Sequence, residues 1–181
     1  MKSTLCLLSA LFLTFACTAA EPMKVGDTAP DFTLNTLDGK VVKLSEENAK
    51  QPVVLIMLRG WPGYQCPLCT KQVHEFVAHA EDFAGKARVI MVYPGRATNL
   101  TAHAEAFLKN EQWPKDFLFV TDPDFVFTKN YGLRWEGPGE TAYPSTFLID
   151  AQGKIQFAKV SKTHGGRANA AEVAKAVMEL K

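Results

Sequence analysis

Hydrophobic and polar residues alternate with two different periods along the chain, and the changes of period predict its elements. Residues 32–37 and 41–45 alternate around Asp38 and Gly39, a pair that favours a tight turn, so they predict a β-hairpin. Residues 53–58 are apolar throughout, which is typical of a strand covered on both faces of a sheet. The apolar residues that follow recur at helical spacing and predict a helix: Val73, Phe76, Val77, Ala80 and Phe83.

Strand and helix patterns continue to alternate in the second half of the chain. They predict strands at 88–93 and 117–120, helices at 102–108, 124–131 and 169–180, and a second hairpin at 146–160. This alternation predicts an α/β domain with a central mixed sheet flanked by helices and an N-terminal β-hairpin. The least regular stretch, Leu133–Tyr143, is rich in Gly and Pro, contains Trp135, and either lines a site or is an ordinary surface connection.

The first twenty residues have the order of a secretory signal peptide. Lys2 precedes an unbroken apolar stretch from Leu5 to Ala16, and small residues follow up to Ala20. About a dozen apolar residues are too few for a helix that must span a bilayer, which takes about 20. We expect cleavage near Ala20, a mature domain at residues 21–181, and export to the periplasm or beyond. Lipid attachment at Cys17 is the less favoured alternative, since no aliphatic residue stands where lipoprotein signals usually carry Leu.

The charge balance excludes some classes of partner. The chain has 20 Lys and Arg against 19 Asp and Glu, and removal of residues 1–20 takes away one lysine, which leaves 19 against 19. A neutral domain without a basic run lacks the clustered positive charge that nucleic acids and anionic membranes select. We therefore expect neither nucleic acid nor membrane as a partner of the mature domain.

The cysteine count is the most informative feature of the composition. Of four cysteines, Cys6 and Cys17 lie in the predicted signal, which leaves only Cys66 and Cys69 in the mature domain. A bridge between them closes a very short loop and stabilises a fold little, so redox work or metal binding explains the pair better. Zinc needs two more ligands at short spacing; His74 is the nearest histidine and is expected on an exposed helix face. Copper binding with a distant ligand such as His164 stays open.

Redox work requires that one of these thiols be activated. A thiol with a pKa near 8.5 is only about 3% thiolate at neutral pH, and the thiolate is the reactive form. A position at a helix N-terminus lowers the pKa by less than about one unit, so a thiol–thiolate hydrogen bond or a cation must contribute more. Arg59 is the nearest candidate cation, and its alternative role is that of an exposed loop arginine. The Cys-x-x-Cys spacing alone does not distinguish a reductase, an isomerase and a peroxidase.

Three groups of residues form recognisable motifs: the opening 25–34 with Asp38-Gly39-Lys40, 121–124 with Tyr131-Gly132, and 145–150 with Gly153. Together they resemble the alkyl hydroperoxide reductase and thiol-specific antioxidant family, the peroxiredoxin-like branch of the thioredoxin superfamily, over most of residues 25–160. The resemblance implies a thioredoxin-like fold, no cofactor, a peroxide substrate and an upstream thiol reductant.

The resemblance also assigns roles within Pro62-Gly-Tyr-Gln-Cys66-Pro-Leu-Cys69. By the peroxiredoxin pattern, Cys69 is the peroxidatic cysteine. Cys66 stands where that pattern has a threonine, and it is a built-in resolving thiol. Pro144 stands where that family carries an activating arginine, and it matches instead the proline that in thioredoxins follows a cis bond and faces the dithiol. This match implies a cis bond between Tyr143 and Pro144. By the thioredoxin pattern, Cys66 is the nucleophile and Cys69 is the resolving thiol, so the two patterns assign opposite roles to the two cysteines.

These observations predict an exported thiol–disulfide oxidoreductase with peroxiredoxin-like antioxidant activity that cycles Cys66 and Cys69 between dithiol and disulfide, with Pro144 as a third site residue. The alternative enzyme is a disulfide reductase of the cytochrome-maturation type, which acts on an oxidised protein thiol. The alternative without catalysis is a metal-binding module.

Overall fold

The structure is a computed structural model that describes residues 20–109 and 111–180. The predicted signal sequence, apart from Ala20, lies outside the described residues. The strands of the described ranges are β1 (Thr33–Thr36), β2 (Val41–Lys43), β3 (Val53–Met57), β4 (Arg88–Gly95), β5 (Phe117–Pro123), β6 (Ser145–Ile149) and β7 (Ile155–Val160). The helices of these ranges are α1 (Leu44–Asn48), α2 (Pro67–Ala78), α3 (Ala80–Phe83), α4 (Leu100–Leu108), α5 (Val126–Asn130) and α6 (Ala170–Met178).

All of these strands join in one mixed sheet of order β2-β1-β5-β4-β3-β6-β7. The pairs β3–β4 and β4–β5 are parallel, and the N-terminal hairpin and the β6–β7 hairpin add antiparallel strands at the two edges. The predicted α/β class, the mixed sheet and the N-terminal hairpin are confirmed. At the hairpin turn Gly39 has φ +83°, a conformation that residues with a Cβ rarely adopt.

The inner strand β3 is buried on both faces, as its continuous apolar sequence predicts. Val54, Ile56 and Leu58 pack into a core shared with α2, α3, α4 and α6. Val53, Leu55 and Met57 pack on the other face, with α1 and α5. The sheet therefore separates two apolar layers. After the carboxyl end of β3, the chain continues through a loop to the cysteines at the start of α2.

The helices differ in detail from the sequence-based prediction. The single helix predicted through Phe83 is two helices, because the chain leaves helical geometry at His79, with φ −104° and ψ 18°. The short helix α1 begins at Leu44, within the strand predicted at 41–45, and continues to Asn48, for which no element was predicted. The last helix is confirmed, and its first turn is closed by reciprocal hydrogen bonds between Asn169 and Glu172. Within residues 20–109 and 111–180, no helix has both the length and the apolar character that crossing a bilayer requires.

Candidate active site

The two cysteines lie where a buried strand turns into a helix. Cys66 is the N-terminal capping residue of α2, and Pro67 holds the first helical position, where its missing N–H leaves no hydrogen bond unmade. Cys69 lies in the first turn, and its backbone N–H donates to the Cys66 carbonyl at 3.0 Å. Both are free thiols; Cys66 is 3% exposed and Cys69 is fully buried. The dithiol is therefore part of the core on the α2 side of the sheet.

The loop between β3 and α2 is held closely against the end of β4. Gly60 has φ +69°, and a Cβ added there would lie 1.9 Å from the carbonyl oxygen of Pro94. The N–H of Trp61 donates to the same oxygen at 3.2 Å. Only a glycine fits this approach, so residue 60 fixes how the chain enters the dithiol segment.

The surroundings make the two sulfurs chemically unequal. A hydrogen bond from the Cys69 thiol lowers the pKa of Cys66 to about 5; burial opposes this, and backbone N–H groups of the first helical turn and the charge of Arg167 support it. The same hydrogen bond, together with burial, raises the pKa of Cys69 well above its ordinary value. The pair thus holds one proton near neutral pH, on Cys69, and the thiolate is on Cys66.

Arg167 is the cation nearest to that thiolate. Its Nη2 lies 3.9 Å from Cys66 Sγ. Its Nη1 donates to Gln72 Oε1 at 2.9 Å and its Nε donates to the carbonyl oxygen of His164 at 3.0 Å, so its orientation is fixed from α2 and from the loop before α6. Sequence reasoning missed Arg167, because it lies about a hundred positions beyond Cys66 and no motif marks its loop as part of the site.

Arg59, the cation that the sequence suggested, has a different role. It is neither an exposed loop residue nor paired with a sulfur through its guanidinium, which is 3% exposed and bonds Glu140 at 2.8 Å. Its backbone N–H donates to Cys69 Sγ at 3.3 Å. Burial alone would lower the pKa of Arg59, but hydrogen bonds with Tyr64 and Glu140 raise it, and the side chain stays charged.

The irregular stretch 133–143 packs against this arginine. Glu140 joins Arg59 to His164, whose Nε2 lies 2.9 Å from the second carboxylate oxygen. Trp135 stacks on Tyr143, with 4.8 Å between the ring centroids. Of the two alternatives for this stretch, the structure favours the lining of a site, since the segment closes over the loop that carries Arg59.

Pro144 lies next to the end of the strand that leads to the dithiol. It precedes β6, whose Ser145 pairs with Met57, the last residue of β3. Its peptide bond with Tyr143 is trans, so the expectation of a cis bond is wrong here. The role of Pro144 in binding a substrate stays a prediction.

A polar network on the other side of Cys66 was also not predicted. Gln65 accepts a hydrogen bond from the Tyr93 hydroxyl at 2.9 Å and donates to the carbonyl oxygen of His103 at 2.8 Å. Burial raises the pKa of Tyr93, and the neighbouring sulfur of Cys69 adds to this effect. This polar network is hard to predict from the sequence, because Tyr93 lies in the apolar pattern of a buried strand.

The histidines give no support to a metal centre. His74 is exposed on α2, as expected, and pairs with Glu111 at 2.5 Å. His164 bonds Glu140 and not a sulfur. Among the residues that the structure describes, no group of three His, Cys, Asp or Glu side chains is arranged to hold a metal ion.

Comparison with known proteins finds relatives of this chain. The family model described as Redoxin matches residues 24–176. Peroxiredoxin Q of Triticum aestivum is 30% identical over 132 residues, which are 73% of this chain and 57% of that protein, so the chain spans little more than half the length of this relative.

Solved structures share the fold. Peroxidoxin BcpB of Mycobacterium tuberculosis superposes with a TM-score of 0.69 at 24% identity, over 88% of this chain and 99% of that one. A putative thiol:disulfide interchange protein DsbE of Chlorobium tepidum superposes with a TM-score of 0.62 at 26% identity, over 86% and 99%.

Fold, dithiol and relatives together define the class, which is that of peroxiredoxin-like proteins with a thioredoxin-like fold. Within that class, the chain belongs to the Redoxin family. The family resemblance inferred from the motifs is thereby confirmed.

Proposed function

We propose that this protein is a thiol peroxidase of the peroxiredoxin-like antioxidant type, in which Cys66 is the first nucleophile and Cys69 the resolving thiol. The proposal rests on one observation above all: the lowered pKa belongs to Cys66, which lies beside Arg167, whereas Cys69 is fully buried and protonated. The thiolate is the reactive form of a cysteine, so the site is poised for attack by Cys66. Cys66 as nucleophile and Cys69 as resolving thiol is the assignment of the thioredoxin pattern and the reverse of the peroxiredoxin pattern.

The cycle balances with the dithiol, a hydroperoxide as oxidant and a thiol as reductant. The Cys66 thiolate attacks one oxygen of a hydroperoxide, the O–O bond breaks, and the products are Cys66 sulfenic acid and, after protonation, an alcohol or water. The Cys69 sulfur then attacks the Cys66 sulfur, water leaves, and a disulfide forms. A thiol reductant, oxidised in turn to a disulfide, returns both cysteines to thiols by exchange.

The test is to identify which sulfur the peroxide oxidises. Cys66→Ser and Cys69→Ser variants are treated with substoichiometric hydrogen peroxide, and sulfenic acid is trapped with dimedone and located by mass spectrometry. We expect rapid sulfenic acid at Cys66 in Cys69→Ser and slow reaction in Cys66→Ser. Rapid oxidation of Cys69 in Cys66→Ser would reverse the roles, and reaction of neither variant above the rate of a free thiol would exclude the peroxidase.

The second candidate is a disulfide reductase that acts on an oxidised protein. The likeness to the DsbE protein supports it, as does a first cysteine that carries the thiolate. In that cycle the Cys66 thiolate attacks a substrate disulfide, and Cys69 then releases the reduced substrate by forming the internal disulfide. Covalent trapping of a protein partner by Cys69→Ser, with no peroxide reaction in either variant, would favour the reductase.

We further propose that residues 1–20 direct export and are removed near Ala20, which would put the dithiol in the periplasm. The order of Lys2, the apolar stretch and the small residues supports this. The full chain is expressed with a C-terminal tag in a Gram-negative host, and the N-terminus of the product in the periplasmic fraction is determined by mass spectrometry. We expect it at or near Glu21; an intact Met1 in the cytoplasm would contradict export, and a lipid on Cys17 would identify the lipoprotein alternative.

A further inference from the structure

A polar cavity lies beside the loop that leads into the dithiol. It encloses about 420 Å³, within the size range of sites that hold small ligands. Trp61, Pro62 and Gly63 form one wall. The loop after β4, the first turns of α4, Phe125 and the stretch 133–143 contribute the rest. Neither cysteine lines it, so the cavity is separate from the redox centre.

Two arginines line this cavity, and one of them is held in place. The guanidinium of Arg134 lies 4.4 Å from the centre of the Phe125 ring, and its Nη1 donates to the carbonyl oxygens of Glu140 at 3.2 Å and of Thr141 at 2.5 Å. Its Nη2 lies 3.5 Å from Glu136, whose side chain is 76% exposed. An ion pair this exposed to water is weak, so a ligand carboxylate can compete with Glu136 for Arg134.

The second arginine, Arg96, is exposed and makes no hydrogen bond or ion pair with any residue that the structure describes. The carboxylate in the lining, Glu140, already receives Arg59 at 2.8 Å and His164 at 2.9 Å, so its charge is offset from outside the cavity. The cavity therefore presents uncompensated positive charge to a ligand. His103 and Trp61, stacked at 3.7 Å between ring centroids, supply a flat aromatic wall beside that charge.

We propose that this cavity binds a small organic carboxylate, with its carboxylate group between Arg96 and Arg134 and its apolar part against Trp61. Guanidinium groups pair with carboxylates through two parallel hydrogen bonds, which fits an acid better than a neutral ligand. The aromatic wall fits a ligand that carries a ring or an alkyl chain. The inference does not rest on the peroxidase or the reductase cycle.

The position of the cavity connects it to the dithiol. His103 of the cavity wall accepts a hydrogen bond from Gln65, the residue directly before Cys66. Trp61 belongs to the same loop, and its N–H is bonded to the end of β4. A ligand seated against Trp61 and His103 thus contacts the segment that positions the first cysteine.

The test is isothermal titration calorimetry of the full, reduced protein with 3-phenylpropionate. We expect saturable binding with a dissociation constant on the order of 1 mM or tighter, and binding of 3-phenylpropionamide at least about tenfold weaker. Arg96→Gln should weaken carboxylate binding about fivefold or more, whereas Lys109→Gln, which removes one exposed charge at the far end of α4, should not. Arg134→Lys keeps the charge but loses the guanidinium and serves as the second variant.

Several outcomes would overturn the assignment. Equal binding of the acid and the amide would show that charge is not recognised, and no saturable binding of the acid up to 10 mM, taken as a limit about tenfold above the expected constant, would show that there is no site. Equal effects of Arg96→Gln and Lys109→Gln would mean that only net charge matters. Tighter binding of inorganic phosphate than of the carboxylate would contradict the proposed ligand class.

Discussion

At the scale of single residues, two identical thiols differ because of what surrounds each sulfur. Cys66 caps a helix and lies beside Arg167, whereas Cys69 is enclosed by the core and receives the N–H of Arg59. One hydrogen bond between them lowers the pKa of one and raises the pKa of the other. The division of labour between the cysteines follows from this difference and not from the Cys-x-x-Cys spacing.

Arg167 can be tested as a positioning residue for the thiolate. Arg167→Gln removes a positive charge 3.9 Å from Cys66 Sγ, so the pKa of Cys66 should rise and its alkylation by iodoacetamide should slow roughly two- to tenfold at pH 5.5. The loss should shrink towards pH 9, where the thiolate forms without help. Arg167→Lys should recover part of the rate.

The matched control is Lys71→Gln, which removes an exposed charge from the same helix as the cysteines. The thiolate is followed by absorbance at 240 nm as the reduced protein is titrated. An unchanged titration curve in Arg167→Gln would exclude a role for this arginine.

At this scale the sequence predicted part of the site. The two cysteines are the only thiols outside the predicted signal, so Cys66 and Cys69 could be selected by counting. Arg167 could not, since its approach to Cys66 depends on how α6 and the loop before it return to α2. The expected cis bond before Pro144 came from a family pattern, and the chain departs from that pattern.

At the scale of elements, the loop between β3 and α2 depends on one glycine. Gly60→Ala would drive a Cβ into the Pro94 carbonyl, whereas Gly85→Ala, at the same φ of +69°, meets nothing within 4 Å. Both substitutions carry the cost of a left-handed backbone, so their difference isolates the clash. We expect Gly60→Ala to lower the free energy of unfolding by about 1–3 kcal/mol more than Gly85→Ala, measured in urea. Equal losses would show that the loop yields easily.

The stretch 133–143 is tied down by the Arg59–Glu140 pair. Glu140→Gln would leave the buried guanidinium of Arg59 without its anion, and we expect a loss of about 1.5–3 kcal/mol in the free energy of unfolding. Glu136→Gln, in the same stretch but 76% exposed, should change it by less than about 0.5 kcal/mol. Similar values for the two variants would mean that water reaches Arg59.

Elements with a clear apolar pattern were easier to predict than very short helices. The strand Val53–Met57 and the helix Ala170–Met178 each carry a clear apolar pattern that their burial in the core demands. The helices α1 and α3, of five and four residues, are too short to show a helical period. The break at His79 falls within a continuous helical pattern of apolar residues. The sequence pattern does not show it, and the backbone angles of His79 do.

At the scale of the whole molecule, the thiolate links redox state to stability. The pKa of Cys66 is about 5 in the folded protein against 9.0 for a free thiol, so between these values the folded reduced form binds fewer protons than the unfolded one. Its contribution to stability is fully present above about pH 9 and is lost as the pH falls towards 5. Cys69, with a raised pKa, stays protonated in the folded state over this window, and in the unfolded state it stays mostly protonated up to about pH 8.

The reduced protein should therefore gain stability over the oxidised protein as the pH rises from about 5.5 to 8. The expected gain is at most about 1.4 kcal/mol per pH unit, and a comparison of the two redox forms cancels the titration of all other groups. Guanidinium unfolding of both forms across this range measures it. A constant difference would contradict a thiolate on Cys66.

The placement of both sulfurs in one helical turn also governs how long an oxidised intermediate survives. Cys69 lies in the first turn of the helix that Cys66 caps and is hydrogen-bonded to the Cys66 sulfur. Reactions between groups held close together in one molecule have effective concentrations far above those of a peroxide in solution. A sulfenic acid on Cys66 would be captured before a second peroxide could convert it irreversibly to sulfinic acid. The short helical segment would thus confer resistance to overoxidation, and the enzyme should keep turning over under a peroxide burst.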